Sequence, residues 1–400
     1  MYEPTRRRVE IAPLIFGALF LLLIAFVVLQ TLRPLPAISA TTTVAPQTVL
    51  GNPVKPQMPT AGGSNVAVTG LGVVGIAGSE GSRPIASVTK MMTAYVILKS
   101  KPLQPNEPGP TITITAADQS RYVQMLNQDQ SVLPVSTGQK FTELEMLQGM
   151  LVPSANNFAE ILATWEAGSV GAFVDKMNAA ARELGMTNTI YSDVSGFSSG
   201  STSSPSDQLI LARAAMANPV FSQIVAMESV RLPGIGLVST TNETLGKDGV
   251  VGIKTGFTET AGGNLAFAAR RQAGGQNIEI IGMVFGMTDK PAAFAATRNI
   301  INSVAQNVQL VQVMKKDQPV ATIETSWGGE VNVIATEDVS MLLWPGMTLQ
   351  AELILDPVVA PSKAGTQAGT LNLRLGDQIK QMPVVLADGI EKPGLFWRLG

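Results

Sequence analysis

Residues Ile11 to Leu29 carry no charged side chain, and this stretch limits what the rest of the chain can be. As a helix rising 1.5 Å per residue it is roughly 28 Å long, close to the hydrocarbon thickness of a bilayer. In lipid such a segment must be helical, because no water is present to satisfy unpaired backbone groups. Arg6, Arg7 and Arg8 precede it, and basic residues stay on the cytoplasmic side of a spanning helix. The expectation is a cytoplasmic tail over 1–10, a transmembrane signal anchor over 11–32 and export of everything beyond. A cleaved signal peptide competes with the anchor, and Ala37-Ile38-Ser39-Ala40 offers a small-residue processing site. The apolar stretch is longer than the about 7–15 residues of a signal peptide, which favours the anchor. Residues 34 to 60 then hold six prolines, a Thr41-Thr42-Thr43 run and one charge, Lys55. That composition reads as an extended linker over 33–61.

An exported domain must work with the residues it has, and this chain has no histidine and no cysteine. A Ser-His-Asp triad, a cysteine nucleophile and a disulfide are all excluded. Zinc sites mostly need His or Cys, so a metal would have to be held by carboxylates alone. Hydroxyl nucleophiles, lysine bases and carboxylates remain. A net charge of −2 gives no electrostatic footprint for nucleic acid. With 45% hydrophobic and 14% charged residues over 400 positions, the chain can bury two or three cores.

Ala67 to Ile76 reads as a strand and Ala86 to Leu98 as a helix. Thr142-x-x-Glu145 is a capping box that opens a helix with Leu144, Leu147 and Leu151 on one face. A further helix runs from about Asn157 to Trp165. Val250–Thr255, Asn264–Arg270 and Ile278–Val284 read as successive strands, which suggests antiparallel pairing. Beyond Val308 the pattern alternates as strands do, at Thr322–Glu324, Val331–Ile334, Ala351–Leu355 and Leu371/Leu373/Leu375. Turn groups such as Gly328-Gly329, Asp356-Pro357 and Gly376-Asp377 punctuate it. The expected class is α+β. Domains are expected over 62–305 and, all-β, over 306–392, with a short tail at 393–400.

Without histidine, a serine nucleophile can use a lysine whose pKa is lowered by burial or by a neighbouring cation. The chain has one Ser-x-x-Lys, Ser87-Val88-Thr89-Lys90. On a helix this spacing puts both side chains on one face, with Ser87 in the first turn, where free N–H groups favour developing negative charge. Taken alone, the pair is equally a serine near a helix start with a solvated lysine. Ser154-Ala155-Asn156, the only Ser-x-Asn, is equally a polar turn between helices. Lys254-Thr255-Gly256, the only Lys-Thr-Gly, is equally a strand ending at a glycine turn. All three together, once each, in this order and in these contexts, form a specific set.

The set resembles the signature of penicillin-binding proteins and serine β-lactamases. The wording around it (Pro84-Ile85-Ala86-Ser87-Val88-Thr89-Lys90-Met91-Met92-Thr93-Ala94-Tyr95, Ser154-Ala155-Asn156-Asn157, Ser195-Gly196-Phe197 and Gly252-Ile253-Lys254-Thr255-Gly256-Phe257-Thr258) is similar to the low-molecular-mass D-alanyl-D-alanine carboxypeptidases, peptidase family S11. Leu355-Asp356-Pro357-Val358-Val359-Ala360-Pro361, with Lys363-Ala364-Gly365 and Gly369-Thr370-Leu371, resembles the β-rich second domain of the penicillin-binding protein 5 type. The resemblance covers about residues 62 to 399. It implies a penicillin-binding-protein-like transpeptidase fold, with an antiparallel sheet and a helical cluster, and a small C-terminal all-β domain.

The resemblance also implies roles. Ser87 attacks the carbonyl between two terminal D-alanines of a peptidoglycan stem peptide, and Lys90 accepts its proton. Ser154 relays a proton to the leaving D-alanine, and Asn156 hydrogen-bonds the substrate amide or Lys90. Lys254, Thr255 and Thr258 hold the terminal carboxylate. Gly256 belongs to the same substrate-binding strand, and the N–H groups of Ser87 and Phe257 form the oxyanion hole. β-Lactams are the implied covalent inhibitors, and no cofactor or metal is implied. Lys254 near Lys90 also supplies a cation able to depress the Lys90 pKa, beside burial.

Two departures stand out. Some members of the family carry histidine where Phe257 stands. The family's carboxy terminus often continues into an amphipathic membrane helix, for which Gly394 to Gly400 is too short; the amino-terminal helix is then expected to tether the chain, and the Phe396-Trp397 pair to pack on the β domain. A class A β-lactamase is disfavoured, since no glutamate has Asn three positions on. A D,D-endopeptidase and a catalytically silent wall-binding protein stay open as alternatives.

Overall fold

The computed structural model describes residues 11–36 and 38–400. The cytoplasmic tail over 1–10, with Arg6, Arg7 and Arg8, and Ala37 of the candidate processing site lie outside the described residues. Helix α1 (Ile11–Leu32) has no buried residue, so most of its apolar surface stands free of the other described residues and is suited to lipid.

The central sheet has five antiparallel strands in the order 250–258, 262–273, 276–287, 63–68, 72–78. Side chains alternate between its two faces, and both faces are covered. Leu265, Phe267, Ala269, Ile280 and Val284 point into one core with Ile300, Ile301 and Val304 of helix α9 (Lys290–Asn307). Ala266, Ala268, Ile281, Met283 and Phe285 point into the other, with the helical cluster. This two-sided burial explains why the strands read as continuous apolar runs rather than alternating ones.

The cluster is built from α2 (Lys90–Ser100), α3 (Ala116–Leu126), α4 (Glu143–Leu151), α5 (Asn156–Ala167), α6 (Val170–Glu183), α7 (Pro205–Met216) and α8 (Pro219–Val225). The capping box at α4 is as expected: Glu145 N donates to Thr142 Oγ1 at 3.2 Å, and Thr142 N donates to Glu145 Oε2 at 2.7 Å. The helices α3, α6, α7, α8 and α9 are absent from the sequence expectation. Each opens on a side-chain cap, at Thr115, Ser169, Ser204, Asn218 and Asp289. Two other expectations change. The strand over 67–76 is a hairpin of Gly63–Val68 and Gly72–Gly78, turned at Gly70 with φ +87°. The helix over 86–98 is a 3-10 turn, Ala86–Thr89, running into α2.

The linker expectation over 33–61 is corrected in the same way. Ser39–Thr42 pairs with Pro319–Glu324, and Gln47–Leu50 pairs with Met347–Leu355. These two segments form the outer edges of a seven-stranded antiparallel sheet in the order 39–42, 319–324, 330–335, 378–386, 367–375, 347–355, 47–50. The prolines flank the strands, and the positions within them are mostly Thr, Val and Leu, which suit an edge. Downstream, Trp344 Nε1 donates to Val54 O at 3.0 Å and Gln57 N donates to Ser303 Oγ at 2.9 Å. The proline-rich segment is therefore laced onto the C-terminal β sheet and onto the α9 side of the central sheet.

The β domain closes on Val320, Ile323, Val333, Leu371, Leu373, Leu375 and Val384. It docks on the central sheet at a turn: Asp377 N donates to Gly70 O at 3.1 Å and Arg213 pairs with Asp377 at 3.0 Å. The short helix α10 (Leu395–Leu399) splits the expected aromatic pair. Trp397 packs edge-on against Trp327 at 5.7 Å, whereas Phe396 is 92% exposed. Arg398 Nη1 donates to Thr31 O and Arg33 O, at 2.6 and 3.2 Å.

Because the 39–50 segment covers both edges of the β sheet, its removal exposes two rows of unpaired backbone groups. A fragment beginning at residue 53 is expected to melt several degrees below one beginning at 38 and to aggregate on heating, as read by scanning calorimetry and light scattering. Equal melting of the two would show that the edges contribute nothing.

Candidate active site

Ser87 lies in the 3-10 turn that feeds α2, and two non-glycine residues of the signature segments, its neighbour Ala86 and Ser154, adopt left-handed backbone. Ala86 has φ +49° and Ser154 has φ +70°; such conformations cost about 1–3 kcal/mol each and collect at working sites. One turn after Ser87, the Lys90 side chain is fully buried. Its Nζ stands 2.9 Å from Ser87 Oγ and donates to Ser195 O at 2.8 Å.

Burial disfavours the ammonium and pulls the Lys90 pKa down to about 7, against the opposing charge of Asp193. Of the two causes open from the sequence, burial is the one at work, and the charge of Lys254 is not among the causes. Lys254 is itself buried, with 1% of its surface exposed. Burial first, then the charges of Lys90 and Lys290, hold its pKa well below the usual lysine range. Among the described residues its hydrogen bond goes to a carbonyl, Thr255 O at 3.1 Å, and no carboxylate pairs with it.

Lys254, Gly256 and Thr258 alternate onto one face of the 250–258 strand, with Thr255 and Phe257 on the other. This strand is an edge of the central sheet, and Gly256 brings it against the Ser87 turn. A Cβ at Gly256 would stand 2.7 Å from Ile85 O and 3.1 Å from Ser87 N. Only glycine allows that approach, which sets the backbone around 256–257 beside the Ser87 amide. Thr255 is buried, its hydroxyl 2.6 Å from that of Thr241, and Thr241 N donates to Val152 O at 3.2 Å in the turn before Ser154. Thr258 Oγ1 accepts from Ala261 N at 3.1 Å. Both threonine hydroxyls are therefore engaged within the protein, whereas the ring of Phe257 is 43% exposed.

Ser154 and Asn156 sit where α4 hands over to α5, both buried. Asn156 N donates to Ser131 O at 2.7 Å, and Asn156 Nδ2 donates to Gln130 Oε1 at 2.7 Å. Its Oδ1 is buried without a hydrogen-bond partner, an arrangement that costs free energy unless something else fills it. No hydrogen bond links Asn156 to Lys90, so that one of its two expected partners is not observed. Gln130, Asp193 and Thr241 complete the surroundings and were not singled out from sequence. Only Asp193 carried a signal, as a turn-forming residue two positions before the noted Ser195-Gly196-Phe197.

The arrangement is a hydroxyl with a desolvated amine in contact, an edge strand bearing a second buried lysine, and an unfilled amide acceptor. It can carry out nucleophilic acyl transfer with lysine as base. No group of His, Cys, Asp or Glu among the described residues could hold a metal ion.

Comparison with known proteins agrees with this chemistry. The family model described as D-alanyl-D-alanine carboxypeptidase, Peptidase S11, matches residues 73–289. The one described as penicillin-binding protein 5, C-terminal domain, matches residues 309–392. The chain is 26% identical to D-alanyl-D-alanine carboxypeptidase DacF of Bacillus subtilis over 78% of its own length and 80% of the relative's. It is 33% identical to D-alanyl-D-alanine carboxypeptidase DacB2 of Mycobacterium tuberculosis, over 52% of its own length and 68% of the relative's. In fold it resembles the crystal structure of the D-alanyl-D-alanine carboxypeptidase DacD from Francisella tularensis, with a TM-score of 0.61 at 21% identity, covering 86% of this chain and 97% of that one. The chain belongs to the D-alanyl-D-alanine carboxypeptidase family, peptidase family S11, and is a serine-type carboxypeptidase.

Proposed function

We propose that the protein removes the terminal D-alanine from peptidoglycan stem pentapeptides, through an acyl-enzyme on Ser87, from the outer face of the cell membrane. The observation that carries this reading is the 2.9 Å contact between Lys90 Nζ and Ser87 Oγ, with the amine fully buried and its pKa near 7. At neutral pH a large share of Lys90 is then the free amine, whose lone pair can take the hydroxyl proton as Oγ attacks the carbonyl between the two D-alanines. The N–H groups of Ser87 and Phe257 receive the oxyanion. Ser154 passes a proton to the departing amine, and water then hydrolyses the acyl-enzyme.

Lys254, with Gly256 and Thr258 on its face of the strand, anchors the terminal carboxylate. A desolvated amine without a carboxylate partner gains most from a substrate that brings one. The buried Oδ1 of Asn156 accepts from the N–H of the scissile amide's neighbour. The Thr255 hydroxyl, bonded to Thr241, supports the strand and reaches the carboxylate only by exchanging that bond. β-Lactams acylate Ser87 in the same way. Helix α1 spans the membrane, with the basic amino terminus inside and both folded units outside.

Incubating the detergent-solubilised full chain with a pentapeptide ending in D-Ala-D-Ala is expected to release D-alanine, and penicillin to leave an adduct on Ser87. Ser87→Ala is expected to abolish both. Penicillin binding without D-alanine release, but with cleavage of crosslinked dimers, would instead mark an endopeptidase. Neither release nor adduct would mark a silent wall-binding protein.

The pH dependence has a definite sign. Lys90 works deprotonated, so the acylation rate rises with pH through about 7 and falls about tenfold per unit well below it. This is expected from stopped-flow acylation by a fluorescent penicillin. A rate flat across that range, or a rising limb near the ordinary lysine value of 10.5, would contradict Lys90 as the base.

A further inference from the structure

The second partner of Lys90, the carbonyl of Ser195, belongs to a loop with almost no regular secondary structure between residues 192 and 201. A single carboxylate organises that loop. Asp193 Oδ2 accepts from Ser195 Oγ at 2.9 Å, Ser195 N at 3.3 Å, Phe197 N at 2.9 Å and Ser198 N at 3.4 Å. Its Oδ1 accepts from Ser201 Oγ.

Two further contacts press the folded loop onto the catalytic elements. Thr93 Oγ1, on α2 one turn beyond Lys90, donates to Val194 O at 2.7 Å. Gly196, with φ +78°, lies so close to the Ser87 turn that a Cβ would fall 1.8 Å from Ala86 O. No lysine or arginine forms an ion pair with Asp193 among the described residues.

We propose that Asp193 is a positioning residue for Lys90: its carboxylate folds the 192–201 loop so that the Ser195 carbonyl meets Nζ, and its uncompensated charge acts on the base. The proposal rests on the reading of Lys90 as the general base. The charge matters because the ammonium formed when Lys90 takes the Ser87 proton sits in a desolvated pocket, where an opposite charge nearby stabilises it.

The other charged groups around α2 are committed elsewhere, are only partly charged or bring no negative charge. Glu160 of α5 pairs with Arg121, and Asp207 of α7 accepts from Asn188 N and Thr189 Oγ1. Lys176 and Glu183 of α6 pair with Glu166 and Lys99. Burial pushes the Glu143 carboxyl of α4 up to about 7, so near neutral pH it carries only part of a charge. Lys254, on the sheet side, brings no negative charge, and burial holds its own pKa well below the usual lysine range. Asp193 is the carboxylate whose charge raises the Lys90 pKa against burial.

The test is the pH profile of Ser87 acylation by penicillin in full-length Asp193→Asn, Asp193→Glu and unaltered protein. The midpoint of such a profile is independent of how much of a variant is folded. Asp193→Asn keeps an acceptor for the loop but loses the charge, so its rising limb is expected to move to lower pH by roughly one unit. Asp193→Glu keeps the charge and is expected to hold the midpoint of the unaltered protein while losing rate through a displaced loop. An Asn variant with an unmoved midpoint, or one moved to higher pH, would overturn the proposal while leaving Lys90 as the base. An unaltered protein with no rising limb would overturn both.

Discussion

The site depends on one buried amine. Lysine is a poor base at neutral pH because it is protonated, and a chain without histidine must change that by environment. Here the change comes from removing water. Lys90 is sealed beneath the 3-10 turn and the first turn of α2, where its ammonium cannot be solvated and its pKa falls to about 7. Desolvation of this kind costs stability, since the unfolded chain would rather keep the proton between pH 7 and 10.5. The folded state offsets that cost with the two apolar cores packed on either face of the central sheet.

Close backbone approach does the rest of the positioning. Gly256 lets an edge strand touch the nucleophile's turn, and Gly196 lets the 192–201 loop touch the same turn from another direction. Lys254 arrives on the first of these and the Ser195 carbonyl on the second. Both glycines are places where a methyl group would separate the parts. The left-handed backbone at Ala86 and Ser154 belongs with them, as local strain held by the surrounding packing.

Much of this was legible in the sequence because catalysis of this type needs short-range spacing. Ser87 and Lys90 meet because they are three apart on a helical turn, and the α4 capping box is likewise local. The hairpin strands after Val250 were legible as apolar runs, and α9 could have been read from Ala293, Phe294, Thr297, Ile300, Ile301 and Val304, which recur at helical spacing. What was hidden depends on partners distant in the chain. Asn156 meets Gln130 across 26 residues and Lys90 meets Ser195 across 105. The Ser39–Thr42 strand finds its partner at Ala321–Glu324, so nothing nearby distinguishes it from a linker. Helix α7 was hidden for a different reason: it is buried on most sides, which erases the polar face that marks an amphipathic helix.

The central claim is that burial makes Lys90 a base near neutral pH, and titration of its amine tests this most directly. Lysine side chains labelled with carbon-13 can be followed by NMR from pH 5 to 11, with the Lys90 signal assigned by its loss in Lys90→Arg. The account predicts a midpoint at about 7. A Lys90 amine that titrates near 10.5, like an exposed lysine, would contradict it.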